Sequence, residues 1–124
     1  EGRVRFLGYV AEETLAALYT LARCCVYPSW YEGFGVPVLE AMACGTPVIA
    51  SNASSIPEVG GDAALLVTPG DVNELTGALE RVLSDDQLRA EMVAKGLARA
   101  RQFSWQTTAA RHVELYRRIL EAPR

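Results

Sequence analysis

The chain has 124 residues, half of them hydrophobic and 22% charged, which indicates at most one soluble globular domain. Its 12 basic and 15 acidic residues leave a net charge of −3, too mild to favour a nucleic-acid or membrane partner. No apolar run approaches the roughly 18 residues that a bilayer span needs, and no signal peptide is visible.

Two further features of the sequence bear on its origin. It lacks an initiator Met and begins directly in strand-like sequence, so we expect it to be part of a longer protein. Cys24, Cys25 and Cys44 lie in apolar contexts without metal-ligand spacing. Buried free thiols in a reducing cytoplasm are therefore the plain interpretation.

The first part of the chain alternates strand-like and helix-like patterns. Pro37 suits the first turn of a helix, where its missing N–H would be unpaired anyway, and Gly45 suits the end of that helix. The predicted elements are, in order, a strand over 3–8, a helix over 12–23, a strand over 24–27, a helix over 37–44, a strand over 48–51, a helical turn over 56–59 and a strand over 63–67.

The second part of the chain has the periodicity of helices alone. Asp71 followed by Glu74 is a capping-box pattern that predicts a helix start, and Ser84 followed by Gln87 predicts a second start. Ser104 is the predicted cap of the last helix. Strands joined through helices, followed by helices, indicate an α/β fold with a parallel sheet covered on both faces.

One stretch, from Glu32 to Glu40, combines the groups that a nucleotide-sugar site needs. It has the spacing E-x7-E, with a glycine-flanked turn and a proline between the two carboxylates. It follows a predicted strand and enters a predicted helix, which is how α/β proteins hold a phosphate. The carboxylates add groups suited to sugar hydroxyls.

The motifs taken together resemble the retaining glycosyltransferases of family 4, also called group 1. The resemblance covers nearly the whole chain, with the motifs in order and at matching spacing, which makes it specific. The segments that carry it are Phe6-Leu7-Gly8, Tyr27-Pro28-Ser29, Glu32-Gly33-Phe34-Gly35, residues 39–48, Pro57-Glu58-Val59 and Phe103-Ser104-Trp105.

This resemblance implies a GT-B fold, in which two Rossmann-like domains face each other across a cleft. Residues 1–124 then form part of the C-terminal, nucleotide-sugar-binding domain, without the N-terminal acceptor domain and the first strands. The expected fold class is α/β, a Rossmann-like parallel sheet with flanking helices, as the incomplete C-terminal half of a GT-B fold. Because the family's basic diphosphate clamp is not near the motif, we expect the isolated chain to be inactive.

The resemblance also assigns roles to the two carboxylates. Glu32 is the predicted catalytic residue: it would contact the transferred sugar near its anomeric carbon and stabilise an oxocarbenium-like charge, without acting as a nucleophile. Glu40 would bind the ribose hydroxyls of the donor. The alternatives are a surface acid in a loop for Glu32 and a solvent-facing glutamate near a helix N-terminus for Glu40.

The turn between them is the predicted binding site for the donor sugar and its phosphates. Gly33 and Gly35 let the backbone turn sharply and approach a ligand closely. The N–H groups of Phe34, Gly35 and Val36 then point at phosphate or sugar oxygens. Phe34 either packs beneath the loop or forms a wall of the sugar pocket, and the whole turn has the alternative of being a mere connection.

Other polar and aromatic residues are less specific. Ser29 and Tyr31 follow a strand end, where both a ligand-facing and a structural role are open. Trp30 and Trp105 are predicted to be packing residues, and His112 a surface or interface residue and not a catalyst. Residues 52–55 depart from the glycine-rich loop of many relatives and are closer to a variant associated with mannosyl or rhamnosyl transfer.

We therefore expect a hexosyltransferase that acts with retention in polysaccharide or glycoconjugate synthesis. Its donor would be GDP- or UDP-linked, with no metal and no cofactor, and its carbohydrate or lipid-linked acceptor would bind the missing domain. No nucleic-acid partner is expected. A dimer through an exposed sheet edge is plausible on physical grounds, and the expected location is cytoplasmic, with peripheral membrane contact through the missing domain.

Other functions remain open at this point. The chain could be a nucleotide-sugar-binding half-domain that catalyses nothing by itself. A GT-B epimerase or phosphorylase is another candidate, although a phosphorylase needs a cofactor lysine that the sequence does not place near the motif. A Rossmann oxidoreductase is disfavoured because no G-x-G-x-x-G follows the first predicted strand.

Overall fold

The computed structural model describes residues 3–122, which form an α/β fold. Its elements are α1 (Glu12–Leu21), β1 (Cys25–Tyr27), α2 (Val36–Ala43), β2 (Val48–Ser51), α3 (Ile56–Gly60), a 3₁₀ turn (Gly61–Ala63), β3 (Ala64–Val67), α4 (Val72–Ser84), α5 (Asp86–Ala100) and α6 (Trp105–Glu121). The described strands lie parallel in the order β1-β2-β3, which confirms the predicted Rossmann-like parallel sheet with flanking helices.

Strand β2 is the centre of the sheet, and all four of its residues are buried. Val48 and Ala50 point to one face and Ile49 to the other, because successive side chains of a strand alternate. Helices α2 and α3 cover the first face with Val38, Ala41, Met42, Ile56 and Val59. Helices α4 and α5 cover the second face with Ala78, Val82 and Met92.

Helix α2 begins and ends at glycines whose backbone is left-handed. Gly35 precedes the helix with φ of 94°, and Gly45 follows its end with φ of 74°. Pro37 lies in the first turn, as predicted. The left-handed conformation is disfavoured for residues with a Cβ, so these glycines fix where the helix starts and stops.

The predicted caps of α4 and α6 are confirmed. The carboxylate of Asp71 accepts a hydrogen bond from the N–H of Glu74 at 2.9 Å, and the hydroxyl of Ser104 accepts one from the N–H of Thr107 at 3.0 Å. The carboxylate of Glu74 bonds the N–H of Thr68 at 2.6 Å. It therefore ties the preceding turn to the helix.

The predicted helix start at Ser84 is wrong by one residue. Ser84 ends α4, and its hydroxyl donates to the carbonyl of Glu80 at 2.7 Å. Asp85 caps α5 instead, because its carboxylate accepts from the N–H of Leu88 at 2.9 Å. The side chain of Gln87 is directed along α5, to Glu91. A serine hydroxyl that bonds back to its own helix is no longer free to cap the next one.

The predicted strand over residues 3–8 is also wrong. The segment is exposed and pairs with no strand of the described residues, and the ring of Phe6 is 97% exposed. Its alternating pattern suits a strand, but a strand needs a neighbour to accept its backbone hydrogen bonds. The neighbour of β1 within residues 3–122 is β2, on one side.

The sequence predicts both tryptophans to be packing residues, yet neither is buried. Trp30 is 73% exposed and Trp105 is 87% exposed. The ring of Trp30 lies over a turn, so close that a Cβ at Gly70 would come within 2.8 Å of it. Trp105 begins α6, along which every residue is exposed. Of the helices described here, none has the length and apolar character to cross a membrane.

Candidate functional site

The residues of the E-x7-E motif lie where the loops after β1 and β2 meet. Both strands are parallel, so both loops leave the same edge of the sheet, where open α/β folds bind ligands. Glu32 lies in the loop between β1 and α2. Ser54 and Ser55 lie in the loop between β2 and α3. The parallel register thus brings together residues more than twenty positions apart in the chain.

The carboxylate of Glu32 is held by a tyrosine. The hydroxyl of Tyr27, at the end of β1, donates to Glu32 Oε1 at 2.6 Å. This hydrogen bond, and then the nearby hydroxyl of Ser29, holds the pKa of Glu32 below its ordinary value. The same bond raises the pKa of Tyr27, and burial adds to that rise. The pair therefore keeps Glu32 ionised and Tyr27 protonated at neutral pH.

The backbone of Glu32 is held by two serines. Its N–H donates to Ser54 Oγ at 2.9 Å, and its carbonyl accepts from Ser55 Oγ at 3.0 Å. Ser54, Ser55 and Tyr27 were not predicted from the sequence as partners of Glu32. The signal that points to them is their place after neighbouring parallel strands, at the edge where ligand-facing groups gather.

The turn between the carboxylates packs closely against α3 at one glycine. A Cβ at Gly35 would lie 2.4 Å from Cδ1 of Ile56, whereas a Cβ at Gly33 would meet nothing within 4 Å. No side chain among the described residues caps α2, which begins at Val36. The turn therefore leaves the positive end of the α2 dipole free for an anion.

Phe34 packs at the edge of the turn. Its ring meets the ring of Phe103 edge to face, with centroids 5.9 Å apart, and the guanidinium of Arg99 lies 4.9 Å from the Phe103 centroid. Arg99 also donates to the carbonyl of Val59 at 3.0 Å and to that of Glu58. Phe34 is still 43% exposed, so it links the turn to the end of α5 while keeping a free surface.

Glu40 has different surroundings from Glu32. It is exposed on α2, and the hydroxyl of Tyr19 lies 3.4 Å from its Oε2. Burial, then the charges of Cys25 and Glu40, raise the pKa of Tyr19 to about 12, so this tyrosine stays a donor at neutral pH. The long hydrogen bond leaves most of the Glu40 carboxylate free to accept from a ligand.

The remaining candidates contribute little to this site. Tyr31 is exposed, and Ser29 is half-buried beside Glu32. His112 is exposed on α6, as predicted, with its Nδ1 2.8 Å from the carbonyl of Thr108 in the same helix. Between residues 3 and 122, no group of three or more His, Cys, Asp or Glu is arranged to hold a metal ion.

Comparisons with known proteins agree with one another. The model of the family described as "Glycosyl transferases group 1" matches residues 1–99. The chain is 50% identical to O-antigen chain mannosyltransferase B of Escherichia coli over 117 residues. This match covers 94% of this chain and 31% of that protein. It is 44% identical over 115 residues to MMP alpha-(1->4)-mannosyltransferase of Mycolicibacterium hassiacum, over 90% of this chain and 28% of that protein.

A solved structure is similar to this chain in fold as well as in sequence. Sucrose-phosphate synthase from Thermosynechococcus elongatus matches with a TM-score of 0.84 and 40% sequence identity, over 98% of this chain and 31% of that chain. The chain thus spans less than a third of the length of each of these proteins.

Proposed function

Since the chain belongs to the group 1 family of glycosyl transferases, we propose that it forms the C-terminal, donor-binding part of a retaining hexosyltransferase. The protein that carries it would move a hexose from a nucleotide-diphosphate sugar to a carbohydrate or lipid-linked acceptor. The predicted membership of group 1 is confirmed by the family match, and the GT-B type of fold by the similarity to sucrose-phosphate synthase, whereas family 4 and retention stay predictions. The first of the relatives named above is about three times as long as this chain, so we propose the activity for a longer protein and not for these 124 residues alone.

The observation that carries the proposal is the ionised, anchored Glu32 beside an open glycine turn. Tyr27 and the two serines hold both its side chain and its backbone. A fixed negative charge stabilises positive charge that develops at the anomeric carbon as the donor bond breaks, and it does so without reorganising during the reaction. We propose this electrostatic role for Glu32, with the leaving diphosphate assisting transfer on the same face.

The turn and the second carboxylate complete the proposed donor site. The N–H groups of Phe34, Gly35 and Val36, at the uncapped start of α2, would bind diphosphate or sugar oxygens. Gly33 has open space on its side-chain face, which leaves room for a ligand. Glu40, exposed one turn along α2, would accept hydrogen bonds from the two ribose hydroxyls.

Mannose is the sugar we propose to test first. Several relatives are named as mannosyltransferases, one of them in O-antigen chain synthesis. The test incubates the full-length protein with GDP-mannose, UDP-glucose, UDP-galactose or UDP-N-acetylglucosamine and an acceptor extract, and measures nucleoside diphosphate release. Proton NMR of the product then reports the anomeric configuration. An inverted product would contradict retention, and no transfer from any donor would contradict the proposed function.

Substitution of Glu32 tests the catalytic assignment. Glu32→Ala should lower turnover by about a hundredfold or more, as loss of one electrostatic stabiliser does, while leaving the protein folded. Glu91→Ala removes another glutamate side chain, exposed on α5 and far along the chain from the motif, and should leave turnover unchanged. Turnover of Glu32→Ala equal to that of the natural protein would refute the role of Glu32.

The second candidate is a binding half-domain without activity of its own. Calorimetry of the 124-residue chain with UDP- and GDP-sugars distinguishes the two, because we expect binding weaker than micromolar when the diphosphate clamp is missing. Micromolar binding would show that these 124 residues bind the donor without such a clamp. An epimerase would instead release an epimerised sugar from the donor panel. A phosphorylase would release a sugar phosphate only from a glycan supplied together with inorganic phosphate, which is therefore run as a separate reaction.

Three other expectations remain predictions. Among the described residues, β1 is paired by β2 on one side, so its other edge offers the site for the predicted dimer, which sedimentation analysis would detect. The metal independence of the reaction is checked by activity in the presence of a chelator. The cytoplasmic location, at the membrane face, is checked by cell fractionation.

A further inference from the structure

The loop between β2 and α3 grips one residue of the motif from both sides. Ser54 Oγ accepts from the N–H of Glu32, and Ser55 Oγ donates to the carbonyl of Glu32. The N–H and carbonyl of one residue belong to two successive peptide planes. Fixing both planes sets the direction of the bond from Cα to Cβ between them, and therefore the direction in which the side chain leaves the backbone.

The backbone conformation of the loop between β2 and α3 is itself unusual. Ser54 has φ of 49°, and it is the one residue other than glycine with a positive φ between residues 3 and 122. A residue with a Cβ is disfavoured in this region, and such strained residues cluster at functional sites. Here the left-handed turn at Ser54 lets two consecutive hydroxyls reach the two backbone groups of Glu32.

The loop between β2 and α3 is held in place by α3, so it can act as a rigid support. The carbonyl of Ser55 accepts from the N–H of Val59 at 3.0 Å, which anchors the serine to the first turn of α3. Ile56, the next residue, is fully buried and lies against the turn at Gly35. A hydrogen bond from a braced loop restrains its partner more than one from a mobile loop would.

We propose that Ser54 and Ser55 are positioning residues for Glu32, whose backbone they hold so that its carboxylate faces the transferred sugar. The inference rests on the donor-site role proposed above for Glu32. Tyr27 then completes the arrangement, because it fixes the end of the side chain that the serines have oriented. The site is thus assembled from two loops, and the loop after β2 takes part without contacting the reacting atoms.

The test is a double-mutant cycle in the full-length protein, with GDP-mannose as the probe, or with whichever donor of the panel gives the highest turnover. The variants are Ser54→Gly, Ser54→Ala and Ser55→Ala, each alone and combined with Glu32→Gln. Ser84→Ala is the control, since its hydroxyl bonds within α4. Ser54→Gly tolerates the positive φ but lacks the hydroxyl, so it separates the hydrogen bond from the backbone conformation.

Each serine variant should lower kcat by about tenfold and leave the donor KM within about twofold, because a small misplacement of a catalytic group acts on the transition state. In the Glu32→Gln background the same substitutions should have no further effect, since they act through Glu32. Ser84→Ala should match the natural protein. If Ser55→Ala fails to fold, the two Ser54 variants carry the test.

Three outcomes would overturn the inference. Serine variants with normal kcat, alongside an impaired Glu32→Gln, would show that the loop does not position Glu32 although Glu32 is needed. An equal loss in the natural and the Glu32→Gln backgrounds would show a structural role independent of Glu32. Normal turnover of Ser54→Gly beside a slow Ser54→Ala would assign the effect to backbone conformation. An unimpaired Glu32→Gln would instead contradict the catalytic role proposed for Glu32, and no transfer from any donor would contradict the proposed function itself.

Discussion

The region around the E-x7-E motif and helix α6 use the same kinds of residue with opposite results. Around the motif, apolar residues such as Met42 and Ile56 are fully buried, and polar groups such as Glu32 are hydrogen-bonded. Along α6, Tyr116 and Leu120 are exposed although the helix has an apolar stripe. An apolar pattern therefore identifies the face that suits burial, whereas burial itself depends on what the rest of the chain brings to that face.

The largest difference in unfolding free energy should appear between alanine variants of the two motif glycines, Gly35 and Gly33. Gly35→Ala would place a Cβ in a left-handed residue and 2.4 Å from Ile56 Cδ1. Strain and overpacking together should lower the unfolding free energy by about 4 kcal/mol in urea titrations. Gly33→Ala is the matched control and should change it by less than about 0.5 kcal/mol. Equal stability of the two variants would contradict the close contact between the turn and α3.

Truncation of apolar side chains tests the same contrast in the core. Met42 is 1% exposed, so Met42→Ala should cost about 3 kcal/mol through the cavity it leaves. Leu120 is 84% exposed, and Leu120→Ala should change the unfolding free energy by less than about 0.5 kcal/mol. A large loss for Leu120→Ala, measured by the same urea titration, would show that α6 packs against the body of the protein.

The helix caps extend the comparison at a smaller scale. Asp71→Ala removes the cap of α4, a helix packed on the sheet, and should cost about 1 kcal/mol of unfolding free energy. Ser104→Ala removes an equivalent cap from exposed α6. We expect it to lower the helical circular dichroism signal through fraying, with less change in the cooperative unfolding midpoint. The reverse ranking of the midpoints would contradict this.

The smallest effect should be the dependence of the unfolding free energy on pH that Glu32 causes. Its folded-state pKa is lowered by Tyr27, so the stability it contributes is present above the unfolded-state pKa and is lost as the pH falls through the folded value. Tyr27→Phe should raise the Glu32 pKa, as NMR titration would show. The stability gap between the natural protein and this variant should shrink in acid. A constant gap would show that Tyr27 acts by packing instead.

Much of the fold follows from local rules that the sequence displays. Gly35, Pro37 and Gly45 define α2 because they act through their own backbone geometry. The apolar run of β2 and the N-cap at Ser104 were also predicted from local sequence patterns. Residues 3–8 and Trp105 were predicted wrongly because pairing and burial require partners from elsewhere, and a local pattern does not supply them.

The candidate site also has a part that the local sequence predicts and a part that depends on residues distant in the chain. The motif from Glu32 to Glu40 is visible in the sequence because its spacing is local. The contacts of Glu32 with Ser54 and Ser55 join residues 22 and 23 positions apart, and they exist because β1 and β2 are parallel neighbours. Knowledge of the strand order, added to the sequence, would have pointed to the second loop.

The most direct test of the donor-site proposal is a crystal structure of the full-length protein with a bound nucleotide sugar. We predict the sugar hydroxyls within about 3.2 Å of the Glu32 carboxylate, which keeps its contacts with Tyr27 and the two serines. The ribose should lie at the same distance from Glu40. A donor bound elsewhere, with its sugar out of hydrogen-bonding reach of Glu32, would contradict the account.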